Sequence, residues 1–77
     1  MTPSERVAAF LDARLAGPVH PTRPGLVAEI ALGNPLPADR LRKCIRLTWR
    51  EMGRTVDERY LYAEYEKRKA ANGPTQN

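Results

Sequence analysis

The segment from Leu36 to Gly53 constrains the fold more than any other part of the chain. Pro37 is compatible with a first helical turn, and Gly53 is a common helix stop. Between them, residues suited to burial recur at the spacing of one helical face: Leu41, Ile45, Thr48, Trp49 and Met52. The sequence therefore predicts a central helix that buries one face against the rest of the chain.

The same predicted helix carries a second, basic face. Arg42, Arg46 and Arg50 follow one another at four-residue steps, with Arg40 and Lys43 nearby. Guanidinium groups bind phosphate through a bidentate fork and stack on bases. One face of the helix is thus expected in the core, while another offers positive charge to an anionic partner.

The distribution of charge supports an anionic partner. The chain has 77 residues and a net charge of +4. Acidic and basic residues balance in residues 1–38, so the whole excess lies in residues 39–77. A localised basic excess favours nucleic acid or an acidic protein surface. A charged face that only keeps the protein in solution is the alternative that composition leaves open.

Two helices are predicted before the central one, although the second has an alternative. Thr2 to Glu5 matches a capping box, and the helix that it opens is expected to end at Gly17. Its expected core-facing residues are Val7, Ala8, Phe10, Leu11 and Leu15. A short helix opened by Thr22 or Pro24 would use the apolar residues of 26–32, with Leu32 among them. A short buried strand over the same residues is the alternative.

One more helix is predicted after the central one. Residues 55–58 match a second capping box, in which Thr55 is the cap and Val56 is already helical. Residues 66–69 form a charged run, and its basic residues at 67–69 are typical of a helix C-terminus, where cations suit the helix dipole. These segments together predict an all-α, compact domain of three or four short helices. It would span residues 1–74, with residues 75–77 as a frayed tail.

Catalytic and metal chemistry find no support in the sequence. Cys44 is the only cysteine, which excludes an internal disulfide and favours a packing role in a reducing compartment. His20 has no second ligand type nearby, and no nucleophile, base or phosphate-binding glycine loop can be named. We therefore expect no enzyme activity and no cofactor. The absence of a signal-peptide pattern and of a membrane-spanning apolar run predicts a cytoplasmic protein.

Arginine and tyrosine are the residues left to carry a function. Arg59 and Tyr60 lie near the start of the last predicted helix, where they could extend the basic face of the central helix. Arginine contacts phosphates and tyrosine stacks on bases, so the pair of helices would form a small nucleic-acid platform. The alternative is that Trp49, Tyr60 and Tyr65 belong to the core.

Several segments resemble, in order, the ProQ/FinO family of bacterial RNA chaperones. They are VAAFLDARL at Val7 to Leu15, Arg23-Pro24 with Leu26 close behind, Leu36 to Thr48, and RYLY at Arg59 to Tyr62. The resemblance implies binding of structured RNA, often a hairpin stem with its 3′ tail, on a basic face. It implies RNA contacts by Arg42, Arg59 and Tyr60, and it matches Arg23 and Arg46 to family positions of less defined role.

A fainter resemblance concerns the second half of the chain. Trp49, Met52 and Tyr60, with Asn34-Pro35 upstream, have a spacing similar to the HMG box, which binds the DNA minor groove. This resemblance keeps DNA as the alternative nucleic acid.

The sequence-based prediction is a small basic protein that binds nucleic acid, RNA in preference to DNA. The expected contact residues are Arg42, Arg46, Arg50, Arg59, Tyr60, Arg23 and Lys43. The alternative is a protein-binding adaptor or inhibitor module, for example from a phage or plasmid. Such a module would dock its basic helix on an acidic protein partner. Membrane association is not expected, and the oligomeric state is left open.

Overall fold

The computed structural model describes residues 1–17 and 25–72, and the regular structure in these ranges is α-helical. The four helices are α1 (Pro3–Ala16), α2 (Leu26–Leu32), α3 (Ala38–Glu51) and α4 (Glu58–Asn72). The prediction of a small all-α fold is confirmed, and the strand alternative for residues 26–32 is wrong. The predicted tail at residues 75–77 lies outside the described residues.

Helix α1 begins with the predicted capping box. The Thr2 hydroxyl oxygen accepts a hydrogen bond from the Glu5 N–H at 3.1 Å, and the Glu5 carboxylate accepts one from the Thr2 N–H at 2.9 Å. Val7 and Leu11 are fully buried, as expected. The prediction for Leu15 is wrong, because this side chain shares the face of Leu11 but lies in the last turn, at the edge of the core, and is 38% exposed.

Helix α2 ends in a Schellman motif at Gly33. This glycine has a φ of 73°, its N–H donates to the Ile30 carbonyl at 3.1 Å, and the Asn34 N–H donates to the Glu29 carbonyl at 3.3 Å. A Cβ at Gly33 would lie 2.6 Å from the carbonyl carbon of Arg68 in α4. The glycine therefore allows both the left-handed turn and the close approach of two backbones.

Thr22 and Pro24, which the sequence offers as the opening of α2, lie outside the described residues. The described helix begins after Gly25, which is extended (φ −67°, ψ 166°) in the N-cap position. The predicted use of Leu32 in the apolar set is wrong. Leu32 is 44% exposed, because it occupies the last turn and lies two residues from buried Ile30, on the outer side of the helix.

Helix α3 turns the predicted apolar stripe toward the core. Ile45 and Thr48 of the stripe are fully buried, and Leu41, Trp49 and Met52 pack partly buried against the core. Cys44, outside the predicted stripe, is fully buried as well, and its carbonyl accepts from the Thr48 hydroxyl at 2.7 Å. The helix begins at Ala38, because Pro37 is extended at the N-cap position rather than inside the first turn. The predicted stop is confirmed: Gly53 follows the helix with a φ of 74°.

The second predicted capping box is wrong. Helix α4 begins at Glu58, and an oxygen of the Asp57 carboxylate accepts from the Arg59 N–H at 3.0 Å. The Thr55 hydroxyl instead donates to the Met52 carbonyl at 2.8 Å, so it closes α3. Val56 accordingly lies in the connecting turn, where its side chain is buried.

The four helices surround one hydrophobic core. Helices α1 and α3 each pack on both α2 and α4, and α2 also packs on α4. Tyr65 of α4 is buried in this core and is the largest fully buried side chain. Its hydroxyl donates to the Asn34 carbonyl at 2.8 Å and accepts from the Leu36 N–H at 3.2 Å. The core alternative is thus confirmed for Tyr65, which fixes the α2–α3 connection against α4.

Candidate nucleic-acid interface

Two basic residues of α3 are engaged by neighbouring helices. Arg40 forms a bidentate pair with Glu29 of α2, with nitrogen–oxygen distances of 2.9 and 2.7 Å. On the other side of α3, the Nε of Arg46 donates to the Glu58 carboxylate of α4 at 2.7 Å. These arginines therefore hold α3 between α2 and α4.

The outer side of α3 carries basic residues that no carboxylate engages. Arg42, Lys43 and Arg50 are exposed, and none has an acidic oxygen within 4.0 Å among residues 1–17 and 25–72. The helical rise spaces Arg42, Arg46 and Arg50 about 6 Å apart along the axis. We call Arg42, Lys43, Arg46 and Arg50 the α3 basic face; one acidic residue, Asp39, lies beside it in the first turn.

Trp49 borders this face and has a fixed orientation. Its indole N–H donates to the Val56 carbonyl at 2.7 Å, which leaves the ring half-buried between α3 and the α3–α4 turn. The guanidinium carbon of Arg46 lies 5.9 Å from the ring centroid, and that of Arg54 lies 5.6 Å from it. Both distances are within the range of cation–π attraction.

Arg59 is the most exposed of the paired arginines. Its side chain is 76% exposed, it lies 3.6 Å from the Asp57 carboxylate, and its guanidinium carbon is 5.5 Å from the centroid of the Tyr60 ring. Such an exposed pair contributes little to stability and leaves the guanidinium accessible. Arg59 thus stays accessible at the start of α4.

The helical period separates the two tyrosines at the start of α4. Tyr62 follows Glu58 by one turn, so it shares the side of α4 that meets Arg46 of α3. Tyr60 precedes Glu64 by one turn and shares the opposite side, toward α1, where it is half-buried. The structure therefore places Tyr62, which sequence reasoning did not select, closer to the α3 basic face than Tyr60. Arg23 lies outside the described residues.

Sequence reasoning missed two arginines. Arg54 falls in what the sequence predicts as a short link, yet its guanidinium covers Trp49. Arg68 falls in the predicted C-terminal basic run, and its interpretation as ordinary capping is wrong. Its guanidinium donates to the Glu64 carboxylate at 2.8 Å, the Ala31 carbonyl at 3.0 Å and the Asp12 carboxylate at 2.8 Å. The four-residue spacing of Glu64 and Arg68 is the only signal, and it does not indicate contacts with α1 and α2.

The paired Glu29 carboxylate is expected to make the free energy of unfolding sensitive to acid. Its hydrogen bonds from Arg40 lower the pKa of Glu29 below the ordinary 4.5. Because the pKa of Glu29 is lower in the folded than in the unfolded state, its ionised carboxylate stabilises the fold above pH 4.5. This stabilisation is lost as the pH falls through the lowered folded-state pKa. We expect Glu29→Gln to flatten the decline of the free energy of unfolding in acid, as measured by urea denaturation. Exposed Glu66→Gln is the control, and equal acid profiles of Glu29→Gln and wild type would contradict the assignment.

The described residues offer no metal site: none of their His, Cys, Asp and Glu side chains form a group of three placed to hold an ion. Nor does any of the described helices combine the length and apolar character needed to cross a membrane. Burial raises the pKa of the Cys44 thiol, which suits a packing role. Comparison of the chain with known protein families, curated proteins and solved structures finds no match.

Proposed function

We propose that this chain is a small, non-catalytic, cytoplasmic protein that binds RNA through the α3 basic face. The observation that supports the proposal is the pattern of ion pairing. Arginines between helices are each paired with a carboxylate, as Arg40 is with Glu29 and Arg46 with Glu58. Those on the outer side of α3, Arg42 and Arg50, have no such partner among the described residues.

This pattern supports a binding surface over a merely charged one. Pairing compensates the charge of the arginines that link helices, whereas Arg42, Lys43 and Arg50 keep a positive charge on one exposed helix face that no carboxylate of the described residues compensates. Arg42 and Arg50 lie about 12 Å apart along the helix axis, a distance that suits two phosphates of one polynucleotide strand, each of which accepts a bidentate pair of hydrogen bonds. The preference for structured RNA over DNA rests on the ProQ/FinO resemblance, which also suggests Arg59, Tyr60 and Arg23 as contacts.

The test is RNA affinity of variants that remove charge from the α3 basic face. We expect Arg42→Ala and Arg50→Ala each to weaken binding by about 1–2 kcal/mol, because each removes a charge-assisted contact with phosphate. In each variant the slope of log affinity against log salt concentration should become shallower by about 0.7–0.9, since one fewer phosphate is neutralised. Fluorescence anisotropy of a labelled hairpin RNA across a salt series measures both quantities.

The control is Lys67→Ala, which removes one positive charge from an exposed position late in α4. It should leave affinity close to that of wild type. Thermal unfolding of each variant checks that the fold is kept, as expected for exposed side chains. Unchanged RNA affinity in folded Arg42→Ala and Arg50→Ala would refute the proposal. A stoichiometric acidic protein that survives nuclease treatment in a native pull-down would instead support the adaptor alternative.

A further inference from the structure

The turn between α3 and α4 has an unusual backbone. Gly53 and Arg54 are both left-handed, with φ values of 74° and 56°. The Gly53 N–H donates to the Arg50 carbonyl at 2.9 Å, and the Arg54 N–H donates to the Trp49 carbonyl at 3.0 Å. This is a complete Schellman motif, so the N–H groups of Gly53 and Arg54 are already used. An anion beside these two residues is therefore bound by their side chains and those of their neighbours.

Arg54 occupies a conformation that disfavours its own residue type. Glycine adopts a left-handed backbone without strain, whereas a residue with a Cβ does so at a cost. Strained residues of this kind concentrate at functional sites. The Arg54 side chain extends over the Trp49 ring and remains exposed, without an acidic partner within 4.0 Å in the described part of the chain. The turn therefore carries an arginine where a glycine would be more stable.

Two arginines lie over one fixed aromatic ring at this turn, and a third is its neighbour in sequence. The indole of Trp49 is oriented by its bond to the Val56 carbonyl, and Arg46 and Arg54 both lie within 6 Å of the ring centroid. Arg50 adjoins Trp49 in sequence and is exposed. A guanidinium plane that lies against an indole still has an outer face, and unpaired bases stack on such planes. We call Arg46, Trp49, Arg50 and Arg54 the Trp49 corner.

We propose that the Trp49 corner binds one unpaired nucleotide of the RNA. The base stacks on the outer face of the Arg54 guanidinium, and Arg50 binds the adjoining phosphate. This inference rests on the proposed function. It specifies that the part of the RNA at the C-terminal end of the α3 basic face is an unpaired nucleotide. It also assigns roles to Arg54 and Trp49, which the sequence did not select. A base inside a duplex has no free face for this stacking, so the corner selects unpaired over paired nucleotides.

Trp49 is the only tryptophan in the chain, so intrinsic fluorescence reports on this corner alone. A short single-stranded oligoadenylate should change the Trp49 emission saturably, with the same midpoint as the anisotropy of a labelled copy of that oligonucleotide. A blunt-ended duplex RNA should bind with little change in emission. An equal change in emission with the duplex would overturn the inference, because the duplex has no unpaired base.

The decisive variant is Arg54→Gly, because its effects on folding and binding have opposite signs. Glycine relieves the left-handed strain, so the thermal midpoint should not fall. Affinity for the oligoadenylate should fall about tenfold, because the surface on which the base stacks is lost. Lys67→Ala removes the same charge elsewhere and should bind as wild type does.

The outcomes separate this inference from the proposed function. If the oligoadenylate binds without altering Trp49 emission, or if Arg54→Gly binds it as tightly as wild type, the inference is wrong and the α3 basic face can still bind RNA. If neither the oligoadenylate nor the hairpin RNA binds wild-type protein by anisotropy, the proposed function and the inference fail together.

Discussion

Gly33→Ala is expected to lower the free energy of unfolding by about 2–5 kcal/mol, because two separate effects act at one position. The residue has a φ of 73°, which strains any residue with a side chain. The new methyl group would also meet α4 backbone, with the carbonyl carbon and oxygen of Arg68 at 2.6 and 2.7 Å. Backbone cannot rotate away as a side chain can, so α2 and α4 would have to move apart. Urea denaturation of both proteins measures the difference.

Gly53→Ala provides a matched control for the backbone effect alone. Gly53 has nearly the same φ, 74°, but the nearest atom to an added Cβ is a Thr55 methyl carbon at 3.6 Å, an ordinary van der Waals distance. We expect Gly53→Ala to cost about 1–2 kcal/mol, which is the strain of the left-handed backbone. The excess cost of Gly33→Ala then measures how tightly α2 packs on α4. Equal costs for the two variants would show that this packing is not tight.

Arg68→Met is expected to destabilise the protein by about 2–4 kcal/mol. Methionine can retain much of the packing of the arginine stem, but it removes every hydrogen bond of the guanidinium. The Glu64 side chain, only 10% exposed, would be left unpaired in a poorly hydrated position. The Ala31 carbonyl would be deprived of its bond from Arg68 as well. The pair with Asp12 contributes less, because the Asp12 carboxylate faces solvent.

Lys69→Met is the control for Arg68→Met, because it removes a positive charge from the adjacent residue, whose side chain is more exposed. Lys69 is 46% exposed and 3.9 Å from Glu66, so its substitution should change the free energy of unfolding by less than about 0.5 kcal/mol. Adding Glu64→Gln to Arg68→Met should recover part of the stability, since it removes the unpaired charge. If Arg68→Met and Lys69→Met unfold alike, Arg68 is not a structural link between helices.

The helices could be predicted from sequence where their ends depend on local residues. Thr2 and Glu5 cap α1 through hydrogen bonds three residues apart, and Gly33 and Gly53 end α2 and α3 because glycine tolerates the left-handed turn. The box at residues 55–58 failed although its pattern is equally good. Its threonine hydroxyl bonds to the end of α3, and its glutamate bonds to Arg46. Tertiary contacts outcompeted the local motif.

The candidate site could be predicted only in part, for a related reason. The spacing of the α3 arginines defines a basic side of the helix, and the structure retains it. The spacing cannot show, however, that Arg40 is paired and that Arg42 has no partner among the described residues. This difference arises because the Glu29 carboxylate of α2 forms a salt bridge with Arg40 and not with Arg42. The contacts of Arg68 could not be predicted either, because its partners Asp12 and Ala31 lie far away in the sequence.

The hydrogen bonds of α4 also bear on how the protein is made. Arg68 reaches carbonyl groups of Ala8 in α1 and Ala31 in α2, and Tyr65 bonds to the segment that joins α2 to α3. These donors all come after the first three helices in the chain, so a chain interrupted before α4 would lack them and would expose apolar residues of the core. The first three helices are therefore not expected to form a stable fold until α4 has been added.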